Sequence, residues 1–393
     1  MSEIKVNSIK GLAASTAALT INNTDGTCTA NITNNLSNRN LIINGAMQVA
    51  QRGTSSTTSG YGSVDRWNNF FNGADESPTQ AQVDVASGTT PYSLGFRKAL
   101  KITNGNQTSG AGAGDYINIQ QSIEAQNAAT SGWNYTSASS FITLSFWIKS
   151  SVAQSFKVYL RSQDGTNQLY TFDTGSLTAD TWTKITKAIP GNSNIQIDND
   201  NNNGFQVNIA AFWGTDFTAS NVTEDAWGTW SSSSRVKDMT STWYTTNDAT
   251  LEITGVQLEV GSVATDFEHR SFAQELALCQ RYFYMLADHD GQTHNACFGR
   301  GESLNSTTVA IQPYYPVTMR DAPSAVTTAT ASPSFLAYEF NSYYHVTGNW
   351  NIHATSPQTG QVYATTNDMG GNNKPMRVQT DASVAKLGFD AEL

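Results

Sequence analysis

The chain has 393 residues, enough for two or three domains with buried cores. Charged residues make up only 14%, the formal charge is −10 and aromatic residues reach 10%. That balance excludes an intrinsically disordered chain and makes a poor ligand for nucleic-acid phosphates. No run approaches the roughly 18 apolar residues that a membrane-spanning helix needs, and the first residues hold no apolar signal core. Cytoplasmic synthesis of a soluble, β-rich protein is the expectation. The three cysteines, Cys28, Cys279 and Cys297, are widely spaced and read as unpaired thiols.

Residues 1–40 are poor in large apolar groups and rich in Asn and Gly, too little to close a core alone. The β-prone stretches Val6–Ile9 and Leu19–Ile21 are expected to pair only with another surface. Two readings stand: a frayed terminus, or a docking segment that orders on a partner.

Residues 41–268 read as strands. Ile142, Leu144, Phe146 and Ile148 alternate with Thr143, Ser145, Trp147 and Lys149, a period of two with one apolar face. Phe156, Val158 and Leu160 repeat the pattern, as do Phe205, Val207, Ile209 and Ala211. Leu251 and Ile253 share one phase while Val256, Leu258 and Val260 share the other, so Gly255 marks a β-bulge. Loops of Asn, Asp, Gly, Ser and Thr separate these runs. Many short strands with little helical periodicity predict an antiparallel β-sandwich.

Residues 269–286 read as a connecting helix. Ser271 and Gln274 fit a capping box, and Phe272, Leu276, Cys279, Phe283 and Leu286 form one apolar stripe. Residues 287–393 return to strands at Thr308–Ile311, Tyr314–Val317, Phe335–Phe340, Tyr343–Thr347 and Val384–Phe389, a second and smaller β-domain.

Several segments resemble a known family. NLIINGAMQVAQRG (Asn40–Gly53), the run from Tyr61 to Trp67, FITLSFWIKS (Phe141–Ser150), Ile253–Phe283, Pro316–Ser324 and the closing LGFDAEL (Leu387–Leu393) are similar to carbohydrate-binding-module-like domains of bacteriophage tail fibres and related virion appendages. The first ten residues look like the start of appendage proteins that attach by their N-termini. The resemblance implies an all-β fold: a jelly-roll-like sandwich, one short helix, a C-terminal β-knob and an extended N-terminal segment. It also implies a homotrimer on the virion, docked to other virion proteins through residues 1–40. The implied function is non-enzymatic, multivalent recognition of a host cell-surface polysaccharide or receptor. The alternatives are a purely structural capsid- or tail-decorating fibre and, third, a glycan-degrading tailspike. No coiled-coil heptads or collagen triplets are present, so no long shaft is expected within this chain.

Sugar recognition stacks aromatic faces on the apolar side of a ring. Trp213, Trp227, Trp230, Trp243 and Tyr244 concentrate in one region, with Trp227 and Trp230 in an apparent loop; they are the glycan-binding candidates, with core packing as the alternative. Trp147 and Trp182 lie on strand patterns and read as packing residues. Asp198, Asp200 and Asn202 alternate as oxygen ligands for a structural Ca²⁺ would, though Asn203 stands where the calcium loop has glycine; a polar hairpin loop is the other reading. No other cofactor is expected. Nucleophile-elbow, P-loop and zinc-protease motifs are missing, so no catalytic residue is assigned. Asp65 and Arg66 read as a structural charged pair at the sandwich edge. Gln257 and Glu259 suggest a trimer contact or a backbone-binding role.

Overall fold

A computed structural model describes residues 6, 8–9, 19–21, 28–30, 38–289, 296–327, 335–381 and 385–393. Most of residues 1–40, read from the sequence as a frayed terminus or a docking segment, therefore lies outside the described residues. Its described pieces, β1 (Ser8–Ile9), β2 (Leu19–Ile21) and β3 (Cys28–Ala30), form a small antiparallel sheet in which Ile9 faces Leu19. Against the expectation that they would pair only with another surface, the β-prone stretches pair with each other, which satisfies their facing backbone groups.

Next come β4 (Ser55–Ser56), β5 (Asn68–Asn72), β6 (Thr79–Asp84), β7 (Lys98–Thr103), β8 (Tyr116–Glu124), β9 (Phe141–Ser150), β10 (Lys157–Ser162), β11 (Gln168–Asp173), β12 (Thr183–Pro190), β13 (Asn203–Trp213), β14 (Trp227–Thr229) and β15 (Thr250–Val260). They make two six-stranded sheets, ordered β14-β11-β10-β13-β8-β5 and β12-β9-β15-β7-β6-β4, with antiparallel pairing throughout. The alternating strands fold as expected. Leu144, Phe146 and Ile148 of β9 meet Val158, Leu160, Val207 and Ile209 of the facing sheet in one core. The jelly-roll-like β-sandwich anticipated from the sequence is the fold. Three helical turns, α1 (Thr90–Ser93), α2 (Ala125–Ala129) and α3 (Thr242–Thr245), occupy its loops.

The β15 register shifts between Thr254 and Gln257, which is the bulge expected at Gly255. Asn40 and Asn44 anchor the segment before β4, the first strand of the sandwich. Asn40 accepts from Ile42 and Leu258 and donates to Val256, while Asn44 bonds Val49 at both backbone groups.

Helix α4 (Phe272–Gln280) carries the expected capping box between Ser271 and Gln274. It stops earlier than the apolar stripe suggested. Phe283 and Leu286 belong instead to β16 (Phe283–Asp288), which pairs with β25 (Lys386–Asp390). Between helix and strand, Arg281 and Tyr282 are drawn to Glu124, and tertiary pairing overrides helical spacing there. Phe272 is 54% exposed, whereas Cys279 is fully buried, a small core group whose thiol burial holds well above its ordinary pKa. Cys297 is exposed and unpaired.

The C-terminal domain continues with β17 (Cys297–Asn305), β18 (Thr308–Ile311), β19 (Ser324–Thr327), β20 (Phe335–Glu339), β21 (Ser342–His345), β22 (Asn351–Thr355), β23 (Gly360–Thr365) and β24 (Pro375–Thr380). A seven-stranded sheet, β21-β20-β24-β17-β18-β23-β22, packs with the three-stranded β16-β25-β19 around Val309, Phe335, Trp350, Val362, Leu387 and Phe389. Tyr314–Val317 is not a strand; Tyr314 makes a single bridge to Thr359.

A polar joint fixes this domain to the sandwich. Arg66 pairs with Glu392, its guanidinium 3.5 Å from the centre of the Tyr282 ring. Arg52 reaches Asp390 at 2.9 Å and Glu392 at 3.3 Å. Arg281 holds Glu124 at 2.6 Å, and Arg320 donates to the carbonyls of Asn201 and Ala391. Arg66 is a structural residue, as read, but its partner is Glu392 and not the neighbouring Asp65. Asp65 instead accepts from the Gln51 backbone and side chain, and burial pushes its carboxyl up to about 6.

Candidate functional site

One concave site lies on the outer face of the β9 sheet. On β9 the residues opposite the core, Ser145 and Trp147, face outward, and β12 brings Lys184 directly across from Trp147. Beside them, Gly255 takes a φ of +63°. A Cβ there would stand 2.6 Å from the Phe96 ring, so only glycine lets that ring seat against the bulge.

Phe96 then stacks edge-on with Phe267 at 4.9 Å, and His269 lies 5.2 Å from Phe96 and 5.0 Å from Phe267. The His269 Nε2 sits 2.9 Å from the Leu94 carbonyl, which orients the ring. The segment carrying Phe267 is held by β15: Glu259 accepts from the Thr265 N–H and Gln257 from the Glu268 N–H, both at 2.8 Å. Gln257 and Glu259 are buried by their own chain, so they bind backbone and are not available as a trimer contact.

The resulting cleft measures about 230 Å³, with Trp147, Phe267 and His269 as its accessible aromatic side, Lys184, Thr265 and Asp266 as polar neighbours, and Phe96 and Ser145 buried in its lining. Farther along the same sheet, Lys149 lies 5.2 Å from the half-buried Trp182 ring. Flat apolar faces beside hydroxyl, ammonium and carboxylate groups suit a small, ring-shaped, polyhydroxylated ligand. One carboxylate, Asp266, lines the cleft; hydrolysis of a glycosidic bond ordinarily employs two.

The aromatic candidates read from the sequence are placed differently. Trp213, Trp243 and Tyr244 are buried, at 1%, 0% and 1% exposure, and form no open platform. Trp243 donates its indole N–H to Thr250 at 3.0 Å. Tyr244 stacks on Phe212 at 4.4 Å and donates to Asp115. Trp213 packs against Tyr116 and Phe217, with Arg235 over its face.

Trp227 and Trp230 are half-buried, and the pair does not share a face. Trp227 lies on strand β14, not in a loop, directly opposite the core residue Tyr170, and its indole N–H donates to Pro190 at 2.6 Å. Trp230, three residues on, packs with the outer cluster of Tyr159 and Leu169. Three residues along an extended chain bring opposite faces forward, which separates the two rings. Trp227 does border a second cleft of about 320 Å³, over Leu169, Thr171, Asn221, Thr223 and Gly228.

Asp198, Asp200 and Asn202 are held by hydrogen bonds within the protein. Asp200 accepts from the Asn202 backbone and side chain, and the Asp198 N–H donates to Asp164. Among the described residues no three His, Cys, Asp or Glu side chains are grouped to hold a metal ion.

Trp147 and Trp182 pack against the cluster of Ala46, Val85, Phe96 and Ala99, as read from the sequence; what sequence reasoning missed is that Trp147 also lines the cleft. The signal was present: Trp147 falls in the polar phase of β9, with Thr143, Ser145 and Lys149. Phe96, Phe267 and His269 carried no comparable signal, because they come from irregular segments far apart in sequence.

No family model matches the chain, and no curated protein matches it. Among solved structures it is similar to the enzymatically active domain of tailspike protein 4 of bacteriophage CBA120, at 11% identity and a TM-score of 0.30. That match covers 56% of this chain and 21% of the other, so the chain spans about a fifth of the tailspike domain's length. It is also similar to the N-terminal cellulose-binding domain of Cellulomonas fimi β-1,4-glucanase C, at 10% identity and a TM-score of 0.26, covering 55% of this chain and 99% of that one. A third similar structure is the family 11 carbohydrate-binding module of Clostridium thermocellum in complex with a β-1,3-1,4-mixed-linked tetrasaccharide, at 11% identity and a TM-score of 0.24, covering 55% and 98%.

Proposed function

We propose that this chain is a non-catalytic, glycan-binding appendage of a phage virion, either a tail fibre or a related surface component. The observation that carries the glycan-binding part is the cleft of Trp147, Phe267 and His269, built on a rigid sheet face over the buried Phe96 and edged by Lys184, Thr265 and Asp266. A sugar ring would lay its C–H face on the aromatic wall while its hydroxyls exchange hydrogen bonds with the polar neighbours. The protein's part is to bind and orient; no bond is cleaved.

The virion assignment is supported by the segments that resemble appendage proteins. Asn40–Gly53, Arg66, the α4 region and the LGFDAEL terminus meet in the structure, where they build the joint between the two domains. Residues 1–40 would dock to another virion protein. Several copies on one particle, as a homotrimer, would raise the avidity of a shallow site by about 10²–10⁴.

The test is binding of the purified full chain to host cells, competed by free cell-surface polysaccharide, with Trp147→Ala as the cleft variant. Saturable binding that polysaccharide blocks and Trp147→Ala loses supports the reading. Absence of binding by a folded trimer assigns a purely structural role, and release of reducing ends from the polysaccharide assigns a hydrolase.

A further inference from the structure

The face of the other sheet carries two arginines whose surroundings differ from those of the arginines that build the fold. Arg52, Arg66, Arg270 and Arg281 each meet a carboxylate. Arg161 and Arg235 meet none among the described residues. Arg161, on β10, lies 3.7 Å from the centre of the Trp230 ring, and Arg235 lies 5.9 Å from the same ring and 4.2 Å from that of Trp213. The Asn167 amide, turned so that its oxygen faces β10, accepts from Arg161 at 2.5 Å, and Arg235 donates to the Ser232 carbonyl at 3.2 Å. Two cations therefore sit on one indole in a chain of net charge −10.

Like charges held together oppose one another, and burial together with the Arg235 charge lowers the proton affinity of Arg161. Both arginines are half-buried. Their aromatic partners fix the guanidinium planes without neutralising them, leaving the N–H groups to an external anion. The second cleft is adjacent. Its wall residue Leu169 is the direct cross-strand partner of Arg161, and Thr171 that of Tyr159. Asn221, Thr223 and Ser234 add amide and hydroxyl groups there, while the buried Thr171 hydroxyl is taken by the Val158 carbonyl.

We propose that Arg161 and Arg235 form a subsite for the carboxylate of an acidic saccharide whose ring occupies the cleft over Leu169 and Thr171. A planar carboxylate matches the guanidinium fork, which phosphate recognition shares; the neighbouring hydroxyl and amide lining favours a sugar acid over a bare oxyanion. The inference rests on the glycan-binding reading and names the charge class of the glycan. It uses a different face from the Trp147 cleft.

Calorimetric titration of the full chain with trigalacturonate, 3′-sialyllactose, lactose and inorganic sulfate tests it. At least one carboxylated saccharide binds more tightly than lactose and sulfate, and its affinity falls by about tenfold or more in Arg161→Gln, in Arg235→Gln and on raising the salt. Arg161→Lys, which keeps the charge, restores part of the affinity, and thermal melts of the variants establish that each is folded. Binding of sulfate but of neither acidic saccharide, or acidic-saccharide binding unchanged in both folded Gln variants, overturns the proposal. A protein that binds neutral glycan through Trp147 and no acidic one overturns this inference alone; one that binds no saccharide overturns both.

Discussion

Arg66 of the sandwich and Glu392, the penultimate residue, are 326 positions apart in sequence and form one buried ion pair. Their side chains are 1% and 5% exposed, Arg66 also donates to the Ser122 carbonyl, and Tyr61 donates to the Leu393 carbonyl at 3.0 Å. Glu392 and Leu393 are therefore part of the sandwich's own hydrogen-bond network, and the two domains are fastened by charge as well as by packing.

Removing one member of such a pair leaves the other buried and uncompensated, a loss of about 3–5 kcal/mol. Glu392→Gln is expected to lower the melting temperature and to separate the C-terminal domain's transition from that of the sandwich. Differential scanning calorimetry reads both; a single unshifted transition contradicts the role given to this joint.

The bulge glycine makes a sharper demand. Gly255→Ala places a Cβ against the Phe96 ring in a left-handed backbone conformation, with an expected loss of about 1–3 kcal/mol. The same change displaces Phe96 from the cleft wall. Chemical denaturation measures the stability, and near-ultraviolet circular dichroism reports the altered aromatic packing.

Glu124 is the joint's acid-sensitive member. Burial acts to raise its pKa, but hydrogen bonds from Arg281 and Tyr282 outweigh burial and hold it below the usual carboxylate range. A carboxylate whose pKa is depressed on folding adds stability above its unfolded pKa, about 4.3, and loses it as the pH falls through the folded value. Glu124→Gln therefore destabilises the protein at neutral pH, and the gap between variant and wild type narrows below about pH 4. Melting curves from pH 3 to 7 check the sign.

How far the fold could be read from the residues depends on the kind of signal. Strand β9 announces itself through strict alternation, and the phase change at Gly255 marks the bulge that seats Phe96. Helix α4 is legible at its start, where Ser271 and Gln274 make a local cap. Its end is not, because Phe283 and Leu286 continue the helical stripe while the strand pairing that claims this stretch, Phe283 with Asp390 and Met285 with Gly388, comes from more than a hundred residues downstream. Strands Asn351–Thr355 and Pro375–Thr380 show little alternation and emerge only from their neighbours. For the site, a count of tryptophans pointed to Trp213 and Trp243, which the core absorbs. The cleft depends on Phe96, Phe267 and His269 converging, and contacts such as His269 with Leu94, 175 residues apart, leave no mark on a single sequence.

The Asp198–Asn202 loop leads to a simple metal prediction. Since Asp200 is engaged by Asn202 and no trio of His, Cys, Asp or Glu side chains assembles among the described residues, excess Ca²⁺ or a chelator leaves the melting temperature unchanged. A shift of several degrees with calcium would restore the metal reading of this loop.

The most direct measurement is a host-glycan array probed with labelled full-length protein beside its folded Trp147→Ala and Phe267→Ala variants. Retention of the wild type on a defined subset of neutral or acidic glycans, weakened by about tenfold or more in each variant, is the expected result. Equal retention of all three proteins, or none by the wild type, contradicts the glycan-binding cleft.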